Sequence, residues 1–320
     1  MTTRLTLGIC TFNRGPAIVQ TLEAICAMSR VNGRVAELVV IDNASTDDTP
    51  AIVDEFIARA ASTAATPTAD AALPIRRVVE PRQGLAQARR RLIEEARTEL
   101  VAFLDDDVLP DPTWAEAMIR VMDQHPRCGV AGGKVRLKFE TGPTKIALRY
   151  ASFLARQDLG ETELLVSEPT RSLVGAAMCL RKPSVIATGW LESQSMPDRQ
   201  GATLSSGGDN ELCIRLRRSG FEIRYTPAAI VDHLIPERRQ TVEYLAKLGA
   251  GIGSSIPFIK LLAHDAPTPQ WAQTQLRLAQ TRQARAMIFE WRREYRPIRL
   301  AEHEGRVEGW RRVLETLSKR

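Results

Sequence analysis

The sequence has 320 residues, 44% of them hydrophobic and 26% charged, enough to bury the core of one large or two small globular domains and too apolar for a disordered or fibrous chain. Its formal charge of +6 arises almost wholly beyond Ile259, where thirteen Lys and Arg face seven Asp and Glu, so the remainder is near neutral and no nucleic-acid partner is expected. The five cysteines are odd in number, widely spaced and without a C-x-x-C pair, a pattern of reduced core thiols rather than a disulfide framework.

The start, MTTRLTLGICTFNR, has a short apolar run but no basic leader, long apolar core and small-residue cleavage site. It reads as a buried strand, and the chain is expected in the cytoplasm. Apolar runs then alternate with helix-length periodic segments: LTLGIC before a helix over 16–28, ELVVID before 49–61, RRVVE before 85–96, and ELVAFLD before 114–123. This alternation predicts an α/β fold of right-handed βαβ units, a mostly parallel sheet flanked by helices. The Ala/Thr/Pro stretch 61–74 lacks apolar periodicity and is predicted as a solvent loop. After Cys128 the alternation breaks down, with CGVAGGKVRLKF and SLVGAAMCLRK reading as strands around a mixed segment, 140–170. SSGGDNELCIRLRRSG predicts a helix opening near Asp209 and stopping at Gly220, and IRYTPAAIVDHLIP a strand that ends at His233. From Tyr244 the pattern is helical, with Trp271, Leu276, Met287, Phe289, Trp291, Tyr295 and Trp310 set among arginines. The longest apolar stretch, 242–263, is interrupted by Glu243, Lys247 and Lys260, so no spanning helix is predicted.

In open α/β sheets ligands bind beyond the carboxyl ends of strands, which directs attention to the polar residues there. The first strand ends in Thr11, Phe12, Asn13 and Arg14, ahead of a helix whose N-terminus suits a phosphate. The second ends in IDNASTDDT, where capping accounts for Ser45 to Asp48 but not for Asp42 and Asn43. The fourth ends in Asp105, Asp106 and Asp107, three like charges whose repulsion a divalent cation would relieve; the bland reading is a solvated turn. Asp209 alone would be an ordinary helix-start residue, and His233 alone a structural histidine.

Taken in order, CTFNR, VVIDNASTDD, GLAQARR, FLDDDV, GGDNELCIRLRRSG and the later His233 resemble the GT-A glycosyltransferases of family 2. The resemblance implies a GT-A catalytic domain over 1–240, its nucleotide-sugar half at about 1–127 and its acceptor half at about 128–240, followed by a helical C-terminal region, 241–320. It also implies transfer of a sugar from a nucleoside diphosphate sugar to an acceptor hydroxyl, with inversion and with Mn²⁺ or Mg²⁺ as cofactor. Thr11, Asp42 and Asn43 match residues facing base and ribose, and Asp105 and Asp106 belong to the donor site. Asp105 and Asp107 match the metal-holding D-x-D pair, His233 a histidine that completes the metal or diphosphate site, and Asp209 the general base. Polysaccharide or glycolipid synthesis, with a glycan or lipid-linked acceptor, follows from the same resemblance.

Three positions depart from the family pattern. Asn43 stands for the usual second Asp, Arg90 for Asn, and Gly208 for the Glu before Asp209. These departures keep open a catalytically degenerate binding or scaffold protein. A sugar nucleotidyltransferase would need a Gly-rich N-terminal loop that CTFNRGPAIV lacks. The basic, aromatic C-terminal region has three readings: a helical cap on the core, a self-association surface, or an interfacial helix making peripheral contact with anionic lipid at the inner membrane face.

Overall fold

A computed structural model describes residues 5–31, 33–64, 73–193, 195–196, 207–289 and 292–319. Trp291 and most of the Ala/Thr/Pro stretch, residues 65–72, lie outside the described residues. The first half runs β1 (Leu5–Thr11), α1 (Ala17–Val31), β2 (Val35–Asp42), α2 (Thr49–Ala64), β3 (Ile75–Val79), α3 (Leu85–Glu95), β4 (Leu100–Asp105), β5 (Val108–Pro110) and α4 (Trp114–Gln124). The second half runs β6 (Cys128–Phe139), α5 (Lys145–Arg149), β7 (Leu164–Leu165), β8 (Ala177–Arg181), α6 (Lys182–Ala187), α7 (Gly208–Arg218) and β9 (Glu222–Ile235). Three long helices follow: α8 (Val242–Ala263), α9 (Pro269–Phe289) and α10 (Arg296–Ser318).

The strands form one sheet in the order β3-β2-β1-β4-β8-β6-β9-β5, with β7 beside β9. The expected α/β architecture is present, and its parallel run is the N-terminal half: β1 pairs parallel with β2 and β4, and β2 with β3. The other half is mixed, because β8 enters antiparallel between β4 and β6, while β6 and β9 pair parallel.

Strand side chains alternate between two cores, as a period of two requires. Leu100, Ala102 and Leu104 join the core under α1 and α4, whereas Val101 and Phe103 join the one under α3 and α7. Gly8 lets α3 lie directly on β1, since a Cβ there would collide with Leu92. The Ala/Thr/Pro stretch begins later than expected: α2 continues through Ala64 because alanines at its end favour helix whatever their periodicity. His233 lies inside a strand that runs on to Ile235.

The C-terminal helices form their own small core, with Ala272, Leu276, Ala279, Val307, Trp310, Val313 and Leu317 buried together. The α8 and α10 backbones meet through glycines: a Cβ on Gly253 would strike the Glu302 carbonyl, and one on Gly305 the Ala250 carbonyl. By length and composition α8 is apolar enough to cross a membrane, with about a third of its most apolar window buried in the protein; charged interruptions did not lower its average as far as the sequence reading assumed.

Candidate active site

A cavity of about 290 Å³ opens at the carboxyl ends of the parallel strands. Thr11 to Arg14 after β1, Asn43 after β2, Gln83 and Gly84 at the start of α3, and Asp105 to Asp107 after β4 form one side. Phe153, Leu154, Ala155, His233, Arg239, Tyr244 and Leu248 form the other. Six of the expected site residues therefore line one cavity, Thr11, Asn43, Asp105, Asp106 and Asp107 on the first side and His233 on the other. Asp42 and Asp209 do not line it.

The loops after β1 and β2 are locked together. Asn13, at φ 50°, accepts from the Thr46 N–H, and its own N–H donates to Ser45 Oγ. An asparagine tolerates this left-handed backbone better than a branched residue would. Thr49 Oγ1 accepts from the N–H groups of Arg14 and Gly15 at 2.8 and 2.7 Å. Asp42 is buried behind this junction, accepting from the Ser45 N–H at 3.0 Å, with Arg77 at 3.5 Å. Asn43 donates to the carbonyls of Glu80 and Arg82 and accepts from the Gly84 N–H at 2.8 Å, so its amide holds the loop that opens α3.

The three aspartates have three different surroundings. Asp105, at the end of β4, is the most open, its side chain 29% exposed. Asp106 points inward, accepting from Thr11 Oγ1 at 2.8 Å and Arg14 Nε at 2.7 Å. Burial pushes its carboxyl up to about 6, against the pull of Arg14. Asp107 accepts from Arg14 Nη2 and Arg239 Nη1, both at 2.8 Å, and lies 3.3 Å from His233 Nε2. Burial alone would raise it, but the hydrogen bond and charge of His233, with Arg239 and Arg14, hold it well below the usual carboxylate range. Burial in turn disfavours the Arg14 guanidinium, yet the neighbouring aspartates raise it on balance.

Sheet register explains this gathering. Antiparallel pairing sets Val108 of β5 opposite His233 of β9, which brings the end of the aspartate run beside the imidazole. His233 Nδ1 lies 2.9 Å from the Leu154 carbonyl. A carbonyl only accepts, so Nδ1 carries a proton and Nε2 faces Asp107.

Asp209 sits in the first turn of α7, where its carboxylate pairs with Arg89 and fills space above Gly175 that any Cβ would occupy. Arg89 is buried, donates to the Gly175 carbonyl at 3.1 Å, lies 3.6 Å from Asp105 and stacks over Phe103 at 5.2 Å. One guanidinium thus links Asp105 to Asp209. The sequence reading quoted GLAQARR and weighed only Arg90, which forms a surface pair with Glu94. Arg14 stood in the sequence only as one of the polar residues ending the first strand, and nothing there singled out Arg239; their shared partner Asp107 lies 93 and 132 positions away, beyond the reach of any local pattern.

The donor set suits a hard divalent cation: carboxylates of Asp105 and Asp107 with an imidazole, facing one cavity. Among the described residues no three such side chains are already gathered in metal-binding geometry, and Asp107 is paired with two arginines. Those arginines suit a diphosphate, so the residues present fit a cation and a diphosphate bound together.

The model of the family described as glycosyl transferase family 2 matches residues 6–185. A pre-mycofactocin glycosyltransferase of Mycobacterium tuberculosis is 29% identical over 177 residues, which cover 55% of this chain and 35% of that protein's own length. The succinoglycan biosynthesis protein ExoM of Rhizobium meliloti is 24% identical over 249 residues, covering 77% of this chain and 72% of that protein. Among solved structures, the mannosyltransferase PcManGT of Pyrobaculum calidifontis, in complex with GDP-Man and Mn²⁺, superposes with a TM-score of 0.58 at 17% identity, covering 100% of this chain and 76% of that one. The likeness shows a GT-A fold.

Proposed function

The chain belongs to glycosyl transferase family 2, and from that premise we propose that it moves a sugar from a nucleoside diphosphate sugar to an acceptor hydroxyl, with inversion and with Mn²⁺ or Mg²⁺. The observation that carries this reading is the single cavity at the strand ends, where Asp105, Asp107 and His233 stand beside Arg14 and Arg239. A departing nucleoside diphosphate builds negative charge on its phosphates, and cationic groups gathered at that point lower the barrier.

Asp105, Asp107 and His233 are the residues to hold the cation, which when bound supplies charge neutralisation to the diphosphate. Thr11, Asp42 and Asn43 shape the base and ribose pocket; Asp42 and Asn43 act through the loops they hold, 43–48 and 80–84. Asp106 anchors Thr11 and Arg14. Asp209 takes the proton from the acceptor hydroxyl, and Arg89 orients it. One displacement on the face opposite the leaving group inverts the anomeric centre and needs no covalent nucleophile on the protein.

In this reading residues 1–127 carry most of the donor site, 128–240 the acceptor side together with His233 and Arg239, and 241–320 make peripheral contact with a membrane face. The relative named for succinoglycan biosynthesis supports a polysaccharide or glycolipid product. Exposed Met287 and Ile288, with the basic excess of the C-terminal region, support contact with anionic lipid.

The test is nucleoside diphosphate release from a panel of UDP-, GDP- and dTDP-sugars with Mn²⁺ or Mg²⁺, with and without EDTA, beside Asp107→Ala and Asp209→Ala. Metal-dependent release from one donor, abolished in the Asp107 variant, is the expected outcome. No binding or release from any donor would overturn the reading in favour of a catalytically degenerate scaffold.

A further inference from the structure

Both oxygens of Asp107 are engaged. Oδ2 accepts from Arg14 Nη2 and Arg239 Nη1, each at 2.8 Å, and Oδ1 faces His233 Nε2 at 3.3 Å. A carboxylate engaged by two guanidinium groups attracts a third positive charge less, so a cation at Asp107 competes with the arginines and binds better once one withdraws.

The two arginines differ in how firmly they are held. Arg14 has a second carboxylate, Asp106, on its Nε at 2.7 Å, and its backbone N–H is bound to Thr49. Arg239 has Asp107 as its one ion-pair partner among the described residues, at 2.8 Å. It stands on the single turn Glu237–Gln240 that joins β9 to α8, and like Arg14 it lies on the cavity wall. Arg239 therefore loses least by leaving. Once it leaves, the best available anion is a phosphate oxygen in the same cavity, which a planar guanidinium grips with two parallel hydrogen bonds.

We propose that Arg239 is a diphosphate-binding residue that exchanges partners: without donor it neutralises Asp107, and with donor it holds the diphosphate while Asp107 turns to the cation. The inference rests on the glycosyltransferase reading. It has a consequence that a fixed phosphate contact or a purely structural salt bridge lacks, namely that Arg239 opposes the cation when it is alone and assists the nucleotide when both are present.

The experiment is calorimetric titration of the full chain and its Arg239→Ala and Arg239→Lys variants with Mn²⁺ alone, then with UDP, GDP and dTDP at saturating Mn²⁺, with thermal melts to establish folding. Arg239→Ala should bind Mn²⁺ alone several-fold more tightly and nucleoside diphosphate about tenfold more weakly, the loss of a charge-assisted hydrogen bond. Arg239→Lys keeps the charge beside Asp107 but not the fork, so it should leave Mn²⁺ binding unchanged and still weaken the nucleotide. Mn²⁺ binding that weakens in Arg239→Ala, or nucleotide binding unaffected in both variants, overturns the exchange. A wild-type chain that binds no nucleoside diphosphate with Mn²⁺ instead overturns the parent reading, and the exchange with it.

Discussion

Replacing Arg89 with methionine tests the link between the two halves of the site. Methionine keeps much of the aliphatic stem but removes the partner of Asp209, the donor to the Gly175 carbonyl and the cation over Phe103. Removing one partner of a buried ion pair costs about 3–5 kcal/mol, because the remaining charge stays behind in a poor solvent. Asp209 keeps a side-chain exposure of 20% while Arg89 has 4%, so water partly solvates the orphaned carboxylate and the lower figure applies, about 3 kcal/mol. For a chain of this size that is a fall in Tm of about 6 °C, taking ~2 °C for each kcal/mol. The assay is a thermal double-mutant cycle with Asp209→Asn, which removes the charge that Arg89→Met strands. The double variant should recover about 2 kcal/mol relative to the sum of the single effects. Additive losses would show that the guanidinium supports the fold independently of Asp209, and the linkage between donor and acceptor sides would fall with them.

Three other outcomes follow from the same structure. Gly305→Ala should lower Tm even though alanine gains about 1 kcal/mol of helix propensity over glycine, since its Cβ meets the Ala250 carbonyl; a stabilised variant would mean that α8 and α10 do not touch there. Burial raises the thiols of Cys128 and Cys213 to about 12, and that of Cys179 further, while Cys10 and Cys26 are half-buried and should take maleimide first. Because Cys10 lines the cavity, Mn²⁺ with nucleoside diphosphate should slow its labelling and not that of Cys26, and equal protection would place the ligand elsewhere. The chain should co-sediment with vesicles rich in anionic phospholipid in a salt-sensitive manner, less so as Met287→Glu/Ile288→Glu, the two most exposed large apolar side chains on α9 among the described residues; binding unchanged in that variant would remove the end of α9 from the lipid contact.

Much of the architecture was legible in the chain because it depends on short-range periodicity. Leu100 to Leu104 alternate between two cores, which is why ELVAFLD reads as a buried strand, and the four strand-helix repeats before Cys128 follow from the same rule. The second half reads poorly because β8 and β6 pair antiparallel across a long excursion, a choice of partner that no local pattern encodes. The tail shows the opposite limit: Glu243, Lys247 and Lys260 interrupt the run although α8 is by length and composition apolar enough to cross a membrane, and only the tertiary structure shows that its glycines serve contact with α10.

The sequence by itself determined which carboxylates stand at strand ends, since a run of three aspartates directly after a buried strand has few uses. Only the tertiary structure decided what each one faces. Asp106 and Asp107 are neighbours in the chain, yet one turns to Thr11 and the other to His233 and Arg239, because the pairing of β5 with β9 twists that turn against a strand more than a hundred residues away. By local pattern Asp209 was a helix-start residue, and the family resemblance alone marked it as the general base; its link to Asp105 runs through an arginine 120 positions distant. Charge partners separated by such loops are chosen by sheet order and register, which arise from packing the whole chain and not from any segment of it.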